Sequence, residues 1–216
     1  MRSAQKGFTL VEIAIVLVII GLLLGGILKG QEMITQAKTK NIIADFSGVA
    51  AAFHGYQDRY RAIPGDDAAA TRWTGTTAGT GNGILAGTYN AATAAPEPES
   101  RLFWHHLRLS GFIAGAGPNQ PNNAAAGIVG AQTGDGAGAS AFAAFNGLIL
   151  CSSNLPDKMA IAVDSQMDDG NAITGTLRAQ KHGATDGISP ATVATALADA
   201  YAETSAPTIY TVCRTM

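Results

Sequence analysis

From Phe8 to Leu28 the chain reads FTLVEIAIVLVIIGLLLGGIL, 21 residues with one charge, Glu12. As a helix this segment rises about 31 Å, enough to cross a bilayer core of about 30 Å. Three kinds of N-terminus carry such a run. A secretory signal peptide has an apolar region of about 7–15 residues followed by a small-x-small cleavage site. This run is longer, and no such site follows it before Lys29. The other two are a plain signal anchor and a leader cut on the N-terminal side of the apolar run. Glu12 separates them, because an ionisable group in a spanning segment is costly and marks a function. It lies four residues after Phe8, so the plain alternative is a carboxylate that reaches the headgroups.

Lys6-Gly7-Phe8-Thr9-Leu10-Val11-Glu12, followed by the apolar run, resembles the N-terminus of type IV pilins and type II secretion pseudopilins. The resemblance is tight over about the first 30 residues. It implies that a prepilin peptidase cuts after Gly7 and methylates the new N-terminal Phe8. It also implies that Glu12 pairs with the Phe8 ammonium of a neighbouring subunit. Two unit charges at 4 Å are worth about 4 kcal/mol at an effective dielectric of 20, so such a pair can set the register between helices, as a buried polar residue does in coiled coils. The division it implies is a leader at 1–7, a transmembrane half of a spine helix at 8–28, its amphipathic half at 29–63, and a globular head at 64–216. The implied partners are other copies and related pilins, the prepilin peptidase, an inner-membrane assembly platform with its ATPase, and lipid before assembly. The implied location is the inner membrane with the head in the periplasm, then a filament in the periplasm or at the cell surface. Basic residues are nearly balanced, with Arg2 and Lys6 before the span and Lys29, Lys38 and Lys40 after it. Orientation therefore rests on the resemblance rather than on the positive-inside rule. Loss of Arg2 and Lys6 with the leader takes the formal charge from −2 to −4.

The helix does not stop at Leu28, since the first Pro is Pro64. Ile42, Phe46, Val49, Phe53, Tyr56, Tyr60 and Ile63 recur at alternating spacings of four and three, one face of an amphipathic helix. One helix from Phe8 to Arg61 is expected, ended where Pro64 forces Ile63 out of helical geometry. Gly21, Gly25, Gly26 and Gly30 crowd its middle. They allow either a weak, bending segment or close packing of helices in the membrane.

Beyond Pro64 the texture changes. Gly, Ala, Thr and Asn dominate 74–95 and 114–146, which read as loops with short extended pieces. Ser100 to Gly111 reads as a short helix with Ser100 as N-cap and Gly111 as stop, packing Phe103, Trp104 and Leu107. His105 and His106 point about 100° apart on it and read as ordinary surface or boundary histidines. Gly147–Cys151 reads as a buried strand. Pro156 suits the first turn of a helix carrying Met159, Val163 and Met167 and ended by Gly170. Thr174–Ala179 and Tyr210–Arg214 read as strands, and Ser189-Pro190 opens a helix carrying Val193, Leu197 and Tyr201. The class is α+β: a long helix, then a small antiparallel sheet with short helices.

Asp164, Asp168 and Asp169 could supply part of a calcium shell of six to eight oxygens, a ligand some pseudopilins take in the head. The other reading is a helix end rich in turn residues, and Asp66-Asp67 after Pro-Gly read the same way. Cys151 and Cys213 are the only cysteines. In the exported head that the resemblance implies, the pair is expected to close. The alternative is two free buried thiols.

Only 14% of residues are charged, against the usual quarter. A net charge of −2 with 6% aromatics argues against binding nucleic acid through a basic or stacking surface. No nucleophile elbow, phosphate loop, HExxH or dinucleotide fingerprint appears. Gly79-Thr-Gly81-Asn-Gly83 lacks the Lys-Ser/Thr that a phosphate cradle needs. No enzyme and no cofactor are indicated. The competing functions are an anchored periplasmic binding module that never polymerises, and a minor tip adhesin whose loops at 74–95 and 114–146 meet a receptor.

Overall fold

The computed structural model describes residues 9–134, 145, 147–181, 200–202 and 208–216. The chain divides into two units, with the boundary between Lys38 and Thr39. Helix α1, Leu10–Tyr60, contributes to both. Its helical assignment is unbroken through Gly21, Gly25, Gly26 and Gly30. A Cβ added at any of these four glycines would meet only open space. In the first unit the large apolar side chains from Leu10 to Ile34 are all exposed, and the helix is long and apolar enough to cross a membrane.

In the second unit α1 buries Ile42, Phe46, Val49, Phe53 and Tyr56, the stripe expected from the spacing. Tyr60 is half-buried and ends the helix. Arg61 takes a left-handed φ of 54° while its N–H still donates to the Gln57 carbonyl at 2.8 Å. The stop therefore comes one residue before the expected Arg61, through a left-handed C-terminal residue rather than directly through Pro64.

Helix α2, Glu99–Leu109, begins one residue before the expected Ser100, with Pro98 at the cap. Ser100 makes no side-chain cap. It sits fully buried in the first turn, and its N–H donates to Ala86 O at 3.0 Å. Gly111 at φ 82° follows the last turn, as expected of a stop. Strand β1 is Val129–Thr133, within the Gly/Ala-rich stretch. Strand β2, Leu148–Pro156, runs five residues beyond the expected Cys151. It continues through a register shift between Ser152 and Leu155, where Asn154 has φ 62°. Helix α3, Asp157–Met167, follows directly, and Pro156 is both the last strand residue and the N-cap of the helix, one position before the expected first turn. Strands β3, Leu177–Lys181, and β4, Ile209–Thr215, complete an antiparallel sheet in the order β1-β2-β4-β3. The helix expected after Ser189 lies outside the described residues, except Tyr201.

Side chains alternate across the strands, so the sheet has two buried faces. Leu150, Val212, Leu177, Ala179 and Ala131 join Phe46, Phe53, Phe103, Trp104, Met159 and Val163 in the main core. Tyr89, Phe145, Ile149, Cys151 and Cys213 form a smaller cluster. The fold is α+β, as the sequence reads.

Candidate functional site

The start of α1 is held by a reciprocal cap. Thr9 N–H and Thr9 Oγ1 both donate to Glu12 Oε2 at 2.8 Å, and Glu12 N–H donates to Thr9 Oγ1 at 3.3 Å. This is a capping box, which satisfies donors that the first helical turn leaves open. Thr9-x-x-Glu12 ahead of an apolar run is its sequence signature, and the reading of Glu12 as a purely intermolecular group passed over it. Oε1 makes no hydrogen bond to a described residue. Gly7 and Phe8, the expected cleavage and methylation residues, lie outside the described residues.

In the head, Cys151 and Cys213 stand opposite each other where β2 pairs with β4, and a disulfide joins them. The sheet register brings them together, because facing residues of antiparallel strands have neighbouring Cβ atoms. The bond lies in the smaller core cluster and closes residues 62 apart in sequence.

Asp164, Asp168 and Asp169 each offer a carboxylate oxygen within 4.8 Å of the others. All three also hold their own chain. Asp164 accepts from Tyr201 Oη at 2.7 Å and Gly170 N–H at 3.0 Å. Asp168 accepts from the N–H groups of Thr176 and Leu177, and Asp169 from Thr174 Oγ1 and Asn171 N–H. Burial pushes Asp164 above the usual carboxylate range. The Tyr201 and Gly170 bonds work against that shift, and the neighbouring charges of Asp169 and Asp168 reinforce it. Asp169 is exposed, and its hydrogen bonds hold it below the usual range. The cluster shapes the turn between α3 and β3, and each of its three carboxylates accepts hydrogen bonds from the chain itself.

The largest departure from the sequence reading is at Asp66-Asp67, which are buried anchors rather than plain turn residues. Asp66 accepts from Thr80 Oγ1 and from the N–H groups of Gly81, Asn82 and Gly83 at 2.6–3.1 Å. The Gly-rich stretch 79–83 is thus an anion nest filled by the chain's own carboxylate. Asp67 accepts from Tyr56 Oη at 2.6 Å, from Ala69 N–H, and from both terminal nitrogens of Arg72. Burial works against its charge, but the Tyr56 and Arg72 bonds outweigh that and hold it below the usual range. The Arg72 guanidinium lies over both Tyr60 and Trp73. Glu99 accepts from Thr80 and from Ala86 N–H, tying the same loop to α2.

His106 is fully buried, which corrects its reading as a surface or boundary histidine. Gly65 N–H donates to its Nδ1 at 2.9 Å, so Nε2 carries the proton and donates to Thr77 O at 3.1 Å. Burial holds the imidazole below its usual range and keeps it neutral. His105 is half-buried and is also lowered, by burial and by Arg108.

In these contacts every named carboxylate of the head is answered by a protein donor. No curated protein and no solved structure matches the chain. The family described as the prokaryotic N-terminal methylation motif matches residues 2–28, so the chain carries the leader signature of type IV pilins and pseudopilins.

Proposed function

We propose that the chain is a structural subunit of a type IV pilus-like or secretion pseudopilus filament, not an enzyme. It is made as a membrane precursor with residues 8–28 as the span and 64–216 as the periplasmic head. A prepilin peptidase removes 1–7, cutting after Gly7, and methylates Phe8. Polymerisation then buries the apolar half of α1 among copies, driven by an assembly platform and its ATPase. Glu12 Oε1 takes the Phe8 ammonium of a neighbour while Oε2 stays in the cap. The observation that carries this reading is the methylation motif over residues 2–28. The exposed apolar side chains from Leu10 to Ile34 support it, because such a surface needs lipid or other copies to cover it.

The decisive test is mass spectrometry of the N-terminal peptide, on sheared surface material and on inner membrane from the native cell. Methylated Phe8 is expected in at least one fraction. In the sheared fraction it places the subunit in a surface filament, and in the membrane alone it indicates a pseudopilin or a scarce minor subunit. An intact Met1 in both fractions removes the reading.

A further inference from the structure

A cleft of about 320 Å³ opens on one side of the head. It is lined by Ala44, Asp45 and Gly48 of α1 and, among others, by Phe112, Ile113 and the polar Asn122. Gly48 leaves the helix bare here, for an added Cβ would meet nothing within 4 Å. Asp45 is half-buried among these groups. It makes no hydrogen bond or ion pair with any described residue. Every other carboxylate buried in the described head has a protein donor. A desolvated carboxylate with an apolar surround is the half-site for a cation on an alkyl stem.

We propose that this cleft receives Lys40 of a neighbouring copy of the same chain, its stem along Phe112 and Ile113 and its ammonium on the Asp45 carboxylate. The proposal rests on the filament reading above. Lys40 is exposed and has no ion pair within the described chain. Its position on α1 also fits. Five residues separate Lys40 from Asp45, an axial offset of about 7.5 Å, and the two side chains point about 140° apart. In two parallel copies related mainly by sliding along α1, Lys40 of one therefore faces back toward Asp45 of the other. Lys38 is seven residues from Asp45 and lies within about 20° of it on the same face, so it points away from such a partner. The Phe8–Glu12 pair slides the neighbour in the same direction by four residues, about 6 Å. Burial of Asp45 raises its carboxyl above the usual range, as fits a charge still waiting for its partner.

The test is a full-length chain carrying Asp45→Cys with Lys40→Cys, made in the native cell, mildly oxidised and run without reductant. Within one copy the two thiols lie on nearly opposite sides of a helix and cannot bond, so a bond between them joins copies. A ladder of covalent multimers is expected from the double variant, and only background from either single variant. A second pair of measurements removes dependence on that variant's folding. Asp45→Lys and Lys40→Asp singly are expected to reduce sheared filament about fivefold, and together to restore most of it. Filaments with methylated Phe8, but with no ladder above the single-cysteine level or no rescue by the charge swap, overturn the cleft and leave the filament reading standing. Unprocessed Phe8 and no filament from the natural chain overturn both.

Discussion

Single residues in the head carry more than their types suggest. Asp66 closes a loop of glycines by accepting four hydrogen bonds from Thr80, Gly81, Asn82 and Gly83. Asp66→Ala leaves those donors facing a cavity and is expected to cost about 3 kcal/mol or more. Urea unfolding of the full chain in detergent reads this as a lowered midpoint with an unchanged slope. His106 sets a pH dependence of definite sign. Its folded pKa is depressed, so its stability is present above the unfolded value near 6.5 and is lost as pH falls through the folded pKa. His105 acts in the same direction. Stability is therefore expected to fall from pH 7 to pH 5, and His106→Gln to show a shallower fall from a lower start. Asp67, also depressed, adds a second loss below about pH 3.8. Asp164, which is raised, works in the opposite sense, and its destabilising charge is relieved as it takes up a proton. Melting temperatures across the pH range, natural chain against His106→Gln, check the slope. None of these roles was legible beforehand. Asp-Asp after Pro-Gly is a turn sequence wherever it occurs, and only long-range contacts with Tyr56, Arg72 and residues 80–83 turn it into an anchor.

Elements were more legible than their ends. The stripe from Ile42 to Tyr56 is periodic over many residues, so α1 and its buried face could be read directly. The head strands are short, and their limits depend on partners far along the chain. Strand β2 continues past Cys151 because Ser152 and Ser153 find buried acceptors and donors, including Asn123 Nδ2 at 2.8 Å and Ile128 N–H at 3.0 Å. Hydroxyls beyond the expected end of the strand are here part of the sheet. The disulfide belongs to this scale, since it staples β2 to β4. Closing 62 residues of chain stabilises by roughly 4 kcal/mol in the chain-entropy model. Cys151→Ala with Cys213→Ala is expected to lower the urea midpoint accordingly, and dithiothreitol to lower that of the natural chain but not of the double variant. Gly65 is a third case. At φ 91° an added Cβ would fall on the Glu99 carbonyl oxygen and lie 2.9 Å from Phe103 N. Gly65→Ala is thus expected to destabilise by about 2 kcal/mol or more, through both strain and overpacking.

At the scale of the whole molecule the sequence was most legible where it is least globular. The leader signature and the apolar run are local patterns, and neither needs a fold to be recognised. The structure adds that Glu12 caps its own helix, so the charge proposed above for a neighbour is a second employment, and substitution can separate the two. Glu12→Gln keeps a side chain that completes the capping box but removes the charge that would pair with the Phe8 ammonium. Thr9→Val keeps the charge and removes the cap, at a cost of about 1 kcal/mol to the helix start. If filament register depends on the intermolecular pair, Glu12→Gln abolishes sheared filament while the processed protein accumulates in the membrane. Thr9→Val then assembles, in somewhat reduced amount. If the cap is what assembly needs, the order reverses. Immunoblots of the sheared and membrane fractions distinguish the two outcomes. The expected order is loss for Glu12→Gln and survival for Thr9→Val, because a helix start frayed by one turn can be rebuilt by packing among copies, whereas an ammonium buried without its carboxylate cannot.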